Sequence, residues 1–146
     1  MKKMISLCLA VTFTLGVYAF PPSDISGKVL ESFHRDFPNV QNQSIKTIGN
    51  SVVVYFKDDH SSCRVFYDLK GGLIAEIKCY DASELSPFIR SRVDEKFPGK
   101  DISSITEVTS QNEHYYEINV QGIKVWYQIK YDINGTIKIQ KKWHKA

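Results

Sequence analysis

Apolar residues recur at every fourth position in two stretches of the chain and at every second position in eight others. In the first stretch Ile25, Val29, Phe33 and Phe37 line up with Leu30 beside them, while Lys28, Glu31, Ser32 and Arg35 take the other side. That spacing predicts an amphipathic helix. Ser23 suits its N-cap, Asp24 suits the positive end of its dipole, and Pro38 disfavours helix at Phe37 and so stops it. In the second stretch Leu85, Ile89, Val93 and Phe97 repeat the spacing. This helix starts at Ser83 or Ser86, the latter with Pro87 at the permissive first position, and Pro98 ends it.

A set of strand-like runs follows each Phe-Pro pair. After the first come SIKTIG, SVVVYFK, SCRVFYDL and LIAEIKCY; after the second come ISSITEVT, HYYEINV, IKVWYQIKYDI and IKIQKKW. Alternation with period two, broken by Gly-Asn, Gln-Gly and Asn-Gly pairs and by short polar stretches, predicts antiparallel hairpins. Pro38 and Pro98 are 60 residues apart, and at that offset Val29 meets Ile89, Phe33 meets Val93, Phe37 meets Phe97, Ile45 meets Ile105 and Ile48 meets Val108. The pattern predicts an internal duplication: an α+β fold made of a tandem helix plus four-stranded antiparallel sheet unit, with the helices packed on one face of the sheet. The two repeats run over about 23–80 and 81–146. YDLKG (67–71) matches YDING (131–135) at an offset of 64, so the second repeat has gained four residues.

Parity constrains the closing hairpins. Val65, Tyr67 and Leu69 are expected to face inward with Leu73, Ala75 and Ile77, which calls for a three-residue loop opened by Asp68 with Gly71 in the left-handed region. Asp132 and Gly135 repeat that chemistry, and Ile129, Tyr131, Ile137 and Ile139 repeat the parity. Earlier on the strand of Ile129 and Tyr131, Ile123, Val125 and Tyr127 are expected on the same inward side.

Residues 1–19 change the picture of the mature chain. MKK is basic, MISLCLAVTFTLG is apolar, and Val17 and Ala19 are small residues at the −3 and −1 positions. This predicts a secretory signal peptide cleaved after about Ala19 and a periplasmic or secreted protein. The apolar run is shorter than a bilayer span and Pro21-Pro22 follows it, so no membrane span remains after cleavage. Removing 1–19 from 146 residues leaves 127, enough for a single domain over 20–146. It also takes Lys2 and Lys3 from 19 basic residues, so 17 face 16 acidic ones, and near-neutral charge calls for no nucleic-acid partner.

The signal peptide, the repeated helix–Phe-Pro–four-strand unit and the final YD-x-x-G-x-hydrophobic hairpin together resemble the PepSY-like family of exported bacterial proteins. That family is similar in architecture to the tandem-repeat beta-lactamase-inhibitor-protein (BLIP-like) fold. The resemblance covers roughly residues 24 to 143. It implies helices on an antiparallel sheet and a binding or inhibitory role in the periplasm, and it carries over no functional residue.

Candidate chemistry is sparse. Loss of Cys8 leaves Cys63 and Cys79 on the two strands of one hairpin. They oppose each other and can form a disulfide if the hairpin is centred on Gly71; centred on Lys70, they are diagonal neighbours and stay free. DDHSSC (58–63) gathers four possible metal ligands, two carboxylates, an imidazole and a thiol, but lacks the paired spacing of a zinc site, so a polar loop is the better reading and no metal or cofactor is expected. Ser61 or Ser62 beside His60 is adjacency without triad geometry, no Gly-x-Ser-x-Gly elbow occurs, and His34, His114 and His144 are scattered; no enzyme is predicted. Asn42 and Asn134 match glycosylation sequons, which matter only in a eukaryotic secretory pathway, and the basic tail 138–146 suits a charged edge strand. The outward strand faces carry Tyr55, Phe66, Tyr115 and Trp126 among polar residues, the composition of a protein-binding sheet face. The expected function is an exported, non-enzymatic binding protein, taking a protein or peptide partner in the cell envelope through that face. The alternatives are a small-ligand or envelope-surface binding module and, behind it, a metal- or thiol-dependent activity.

Overall fold

In the computed structural model, residues 27–58 and 60–145 are described. The expected signal peptide and the Ser23 helix start lie outside them. The element order is α1 (Gly27–Asp36), β1 (Gln43–Ile48), β2 (Ser51–Lys57), β3 (Ser61–Asp68), β4 (Leu73–Tyr80), α2 (Pro87–Lys96), β5 (Asp101–Ser110), β6 (His114–Gln121), β7 (Val125–Asp132) and β8 (Ile137–His144), with one 3-10 turn at Ala82–Glu84 before α2.

The expectation of two separate helix-plus-four-strand units is overturned. All eight strands form one sheet in the order β1 to β8, because β4 continues the ladder into β5, with Ala75 paired to Ser110 and Tyr80 to Ile105. The point where one repeat was expected to give way to the next is therefore an ordinary strand pair in the middle of the sheet.

Both helices stop as their sequences require. The Phe37 amide donates to the Phe33 carbonyl and the Phe97 amide to the Val93 carbonyl, each at 2.8 Å, and the residue after each Pro-containing turn returns a 3.3 Å bond to that Phe. The stripes are buried on one side of the sheet. Val29 and Phe33 of α1 pack on Val52, Val54, Phe56, Val65 and Tyr67. Ile89 and Val93 of α2, with Leu85 and Phe97 beyond its ends, pack on Ile105, Ile118, Val120 and Ile129. Cα partners across a ladder share a face, and register carries Cys63 through Lys78, Glu107 and Tyr116 to Tyr131. The two cores thus lie under the same face, separated by β4.

The closing hairpins turn as their residues dictate. Asp68 Oδ1 accepts from the Lys70 and Gly72 amides, Asp132 Oδ1 accepts from the Asn134 and Thr136 amides, and Gly71 and Gly135 take φ of 86° and 79°. What parity failed to foresee is a bulge in each hairpin. Tyr67 pairs with Leu73 but Phe66 pairs with Ala75, leaving Ile74 as an extra residue; Ile129 pairs with Ile139 but Gln128 pairs with Lys141, leaving Gln140 extra. An extra residue flips the face of everything beyond it. Ala75 and Ile77, expected inward, therefore face away from the helices, and Glu76, Lys78 and Tyr80 take their place. Ile123 is also corrected: β7 starts at Val125, and Ile123 sits in the preceding turn, 91% exposed.

Candidate functional site

The face of the sheet opposite the helices is where the sequence-selected aromatics fall. In an antiparallel sheet covered on one side, the other side is normally polar by alternation. Here a band across its middle is not. One row of cross-strand partners runs Tyr55, Arg64, Ile77, Val108, Tyr115, and the adjacent row runs Val53, Phe66, Ala75. Val53 is buried to 1% exposure although both described helices lie on the other face. The β3–β4 bulge is what delivers Ala75 and Ile77 to this band and closes the gap between Phe66 and Tyr115.

Lys130 holds its ammonium 3.6 Å from the centroid of the Tyr115 ring and 3.3 Å from Glu113, a cation–π contact that fixes the ring on the face. Arg64 stands within the first row of the band, and Lys46 and Lys57 flank it by register. The carboxylates at its ends, Asp68 and Asp132, are held below the ordinary carboxylate range by the backbone amides that cap them, and those turn contacts occupy them.

The structure brings Tyr55, Phe66 and Tyr115 together and sets Trp126 apart. Trp126 lies toward the other end of β7, paired with Gln121 on one side and Trp143 on the other. The β7–β8 bulge creates that second pairing: in an unbulged hairpin Lys142 would stand opposite Trp126. Trp143 was missed in the sequence for that reason, its parity placing it on the helix side. A hollow of about 630 Å³ opens here, lined by Ser103, Ser104, Asn119, Gln121, Trp126 and Trp143. The Trp126 indole N–H is buried without a hydrogen-bond partner, a desolvated donor that costs roughly 1–3 kcal/mol.

The candidate disulfide is not formed. Cys63 pairs with Lys78 and Cys79 with Ser62, so the two side chains project from opposite faces, and both thiols are free. The Ile74 bulge is the cause. Burial pushes the Cys63 thiol up. In the 58–63 segment, Asp58 organises a turn: its Oδ1 accepts from the His60 and Ser61 amides at 3.0 and 2.6 Å, and its Oδ2 accepts from Ser61 Oγ at 2.7 Å. The Ser61 hydroxyl, more than any other group, holds the Asp58 carboxyl below its usual range. Among the described residues no three His, Cys, Asp or Glu side chains converge as a metal site would require.

A second, polar hollow of about 500 Å³ lies on the helix side between the two cores, where β4 exposes Lys78 and Tyr80. Its groups answer one another. Lys78 stands 3.8 Å from Asp58, and Glu107 accepts from Tyr80 at 3.3 Å and meets His114 Nε2 at 2.7 Å. Burial, and then the Glu107 charge, pushes the Tyr116 phenol up to about 12.

No family model matches the chain, the PepSY-like resemblance included, and no curated protein matches it. Solved structures do. A BLIP-like protein from Bacteroides fragilis superposes with a TM-score of 0.67 at 14% identity, covering 83% of this chain and 88% of the other. A DUF2874 family protein from Bacteroides ovatus gives 0.63 at 14% identity, with 82% and 86% covered. A Bacteroides eggerthii protein with a provisional periplasmic assignment gives 0.61 at 13% identity, with 80% and 86% covered. Identity this low carries architecture alone, and the architecture is shared over most of each chain: the fold is BLIP-like.

Proposed function

We propose that this chain is an exported, non-enzymatic binding protein that docks an acidic protein partner on the open face of its sheet. The observation that carries the reading is the band of Tyr55, Phe66 and Tyr115 with Val53, Ile77 and Val108 between them, on the face that alternation should have left polar. Aromatic anchors in an apolar centre with a charged rim are how protein interfaces concentrate their energy. Lys46 and Lys57 on that rim and Arg64 within the band are the cations a docked partner would meet, and the partner they suit is acidic. Export rests on the basic, apolar and small-residue succession of residues 1–19. The provisional periplasmic assignment of one structural neighbour is consistent with it, and no helix among the described residues is long and apolar enough to cross a membrane.

The test is a photo-crosslinking amino acid placed at position 66 and, as control, at position 88 on α2, where Phe88 is 68% exposed. An envelope preparation should give a discrete acidic-protein adduct from position 66 alone, and Arg64→Glu should weaken that adduct at least about tenfold. Equal adducts from both positions, or an adduct indifferent to Arg64→Glu, would refute the reading.

A further inference from the structure

The hollow at the far end of β5 to β8 differs in chemistry from the aromatic band. None of its six lining residues is charged, and four of them carry hydroxyl or primary amide groups. Those groups are arranged by a bulge in β5. Ile102 pairs with Val120 and Ser104 with Asn119, so Ser103 is the extra residue between them. Ser103 Oγ donates to the Asn119 carbonyl at 3.2 Å, and Asn119 Nδ2 donates to Ser104 Oγ at 2.8 Å. Asn119 is thereby oriented to offer its side-chain oxygen as an acceptor, and Ser104 its hydroxyl proton as a donor.

The two indoles hold different positions. Lys145 Nζ stands 5.3 Å from the Trp126 ring, so that ring is already engaged by a cation. Trp143 is 45% exposed and offers a free apolar face beside the amides. The Trp126 N–H, buried and unpaired, is a donor that gains from any small rotation bringing it an acceptor.

We infer that this hollow is a binding subsite for a glycan strand. The ligand that matches an uncharged lining of hydroxyls and amides beside an open indole has one apolar face and many hydroxyl groups. A pyranose ring has both: its axial C–H groups lie against an aromatic ring while its hydroxyls exchange hydrogen bonds with amides. A purely apolar ligand would strand the Ser, Asn and Gln groups. At about 630 Å³ the hollow lies within the range of small-ligand sites.

The chain itself supplies the probe, because Trp126 and Trp143 are its only tryptophans and both line the hollow. Titration of the full mature chain with maltohexaose, cellohexaose or hexa-N-acetylchitohexaose, followed by tryptophan fluorescence and by calorimetry, should give saturable binding with at least one of them. Trp143→Ala should weaken it at least about tenfold, and so should Gln121→Ala, which leaves both fluorophores in place. Phe66→Ala, on the separate band, should leave it unchanged. No saturation with any of the three sugars, or binding that Trp143→Ala and Gln121→Ala leave intact, overturns the inference.

Discussion

Single carboxylates in this protein pull stability in opposite directions with pH. Asp58 is depressed by the Ser61 hydroxyl and by amides of its own turn, so it stabilises the fold above its unfolded value of 3.8 and that contribution is lost as pH falls through the lower folded value. Glu76 is the opposite case. Swung to the helix side by the Ile74 bulge, its carboxyl is raised above 4.5, first by burial and then by Glu107, against the pull of Lys78. Between 4.5 and that raised value the folded state therefore holds a proton that the unfolded chain has released, and stability from this group rises as pH falls through the folded value toward 4.5. Glu76→Gln should raise the denaturation midpoint at neutral pH, with the gain shrinking to nothing near about pH 4. Asp58→Asn should lower the midpoint at neutral pH, and its deficit should fade only in stronger acid. Urea midpoints at both pH values check the pair; a gain for Glu76→Gln that persists undiminished in acid would contradict this account.

At the scale of elements, the two closing hairpins share their turn chemistry but not their surroundings. Gly71 and Gly135 both sit at positive φ, where a side chain costs about 1–2 kcal/mol. A Cβ on Gly71 would also stand 2.7 Å from the Lys28 carbonyl oxygen and 2.8 Å from Ser32 Oγ, both on α1, whereas at Gly135 the nearest heavy atom is the Tyr131 hydroxyl at 3.6 Å. Gly71 is thus the point where the first hairpin touches its helix. Gly71→Ala should cost more than Gly135→Ala by about 1 kcal/mol or more, since backbone of α1 must shift; equal losses in denaturant melts would mean that the turn does not brace the helix. The turn residues were readable because Asp and Gly act on their own neighbours. The bulges three and five residues further on were not, since Ile74 and Gln140 are unremarkable strand residues whose extra place exists only relative to a partner strand.

At the scale of the molecule, two cores lie under one continuous sheet, and the question is whether they melt as one. Register pairs running from Ala75–Ser110 to Tyr80–Ile105 bind the halves through backbone hydrogen bonds. Phe33, fully buried on the inner side of α1, belongs wholly to the first core, and truncating it to alanine should cost roughly 3–5 kcal/mol. Both tryptophans lie in the other half, on β7 and β8. Cooperative folding predicts that Phe33→Ala shifts the tryptophan-fluorescence transition by the same amount as the far-ultraviolet circular dichroism transition. A fluorescence midpoint that stays at the wild-type value would show two independent units.

The sequence by itself determined whatever depends on near neighbours. Phe-Pro stops each helix, the four-residue stripe selects its buried side, Asp68–Gly71 and Asp132–Gly135 shape the turns, and period-two runs place all eight strands. It also picked Tyr55, Phe66 and Tyr115, because the parity of β2, β3 and β6 is undisturbed by the bulges. Tertiary structure alone decided what depends on which strand lies alongside. It joined β4 to β5, separated Cys63 from Cys79 onto opposite faces, turned Glu76 inward, and set Trp143 opposite Trp126. The physical reason is the same throughout: a strand's face is fixed by the hydrogen-bond register with its neighbour, and one added residue in that register inverts every side chain beyond it without leaving a local mark.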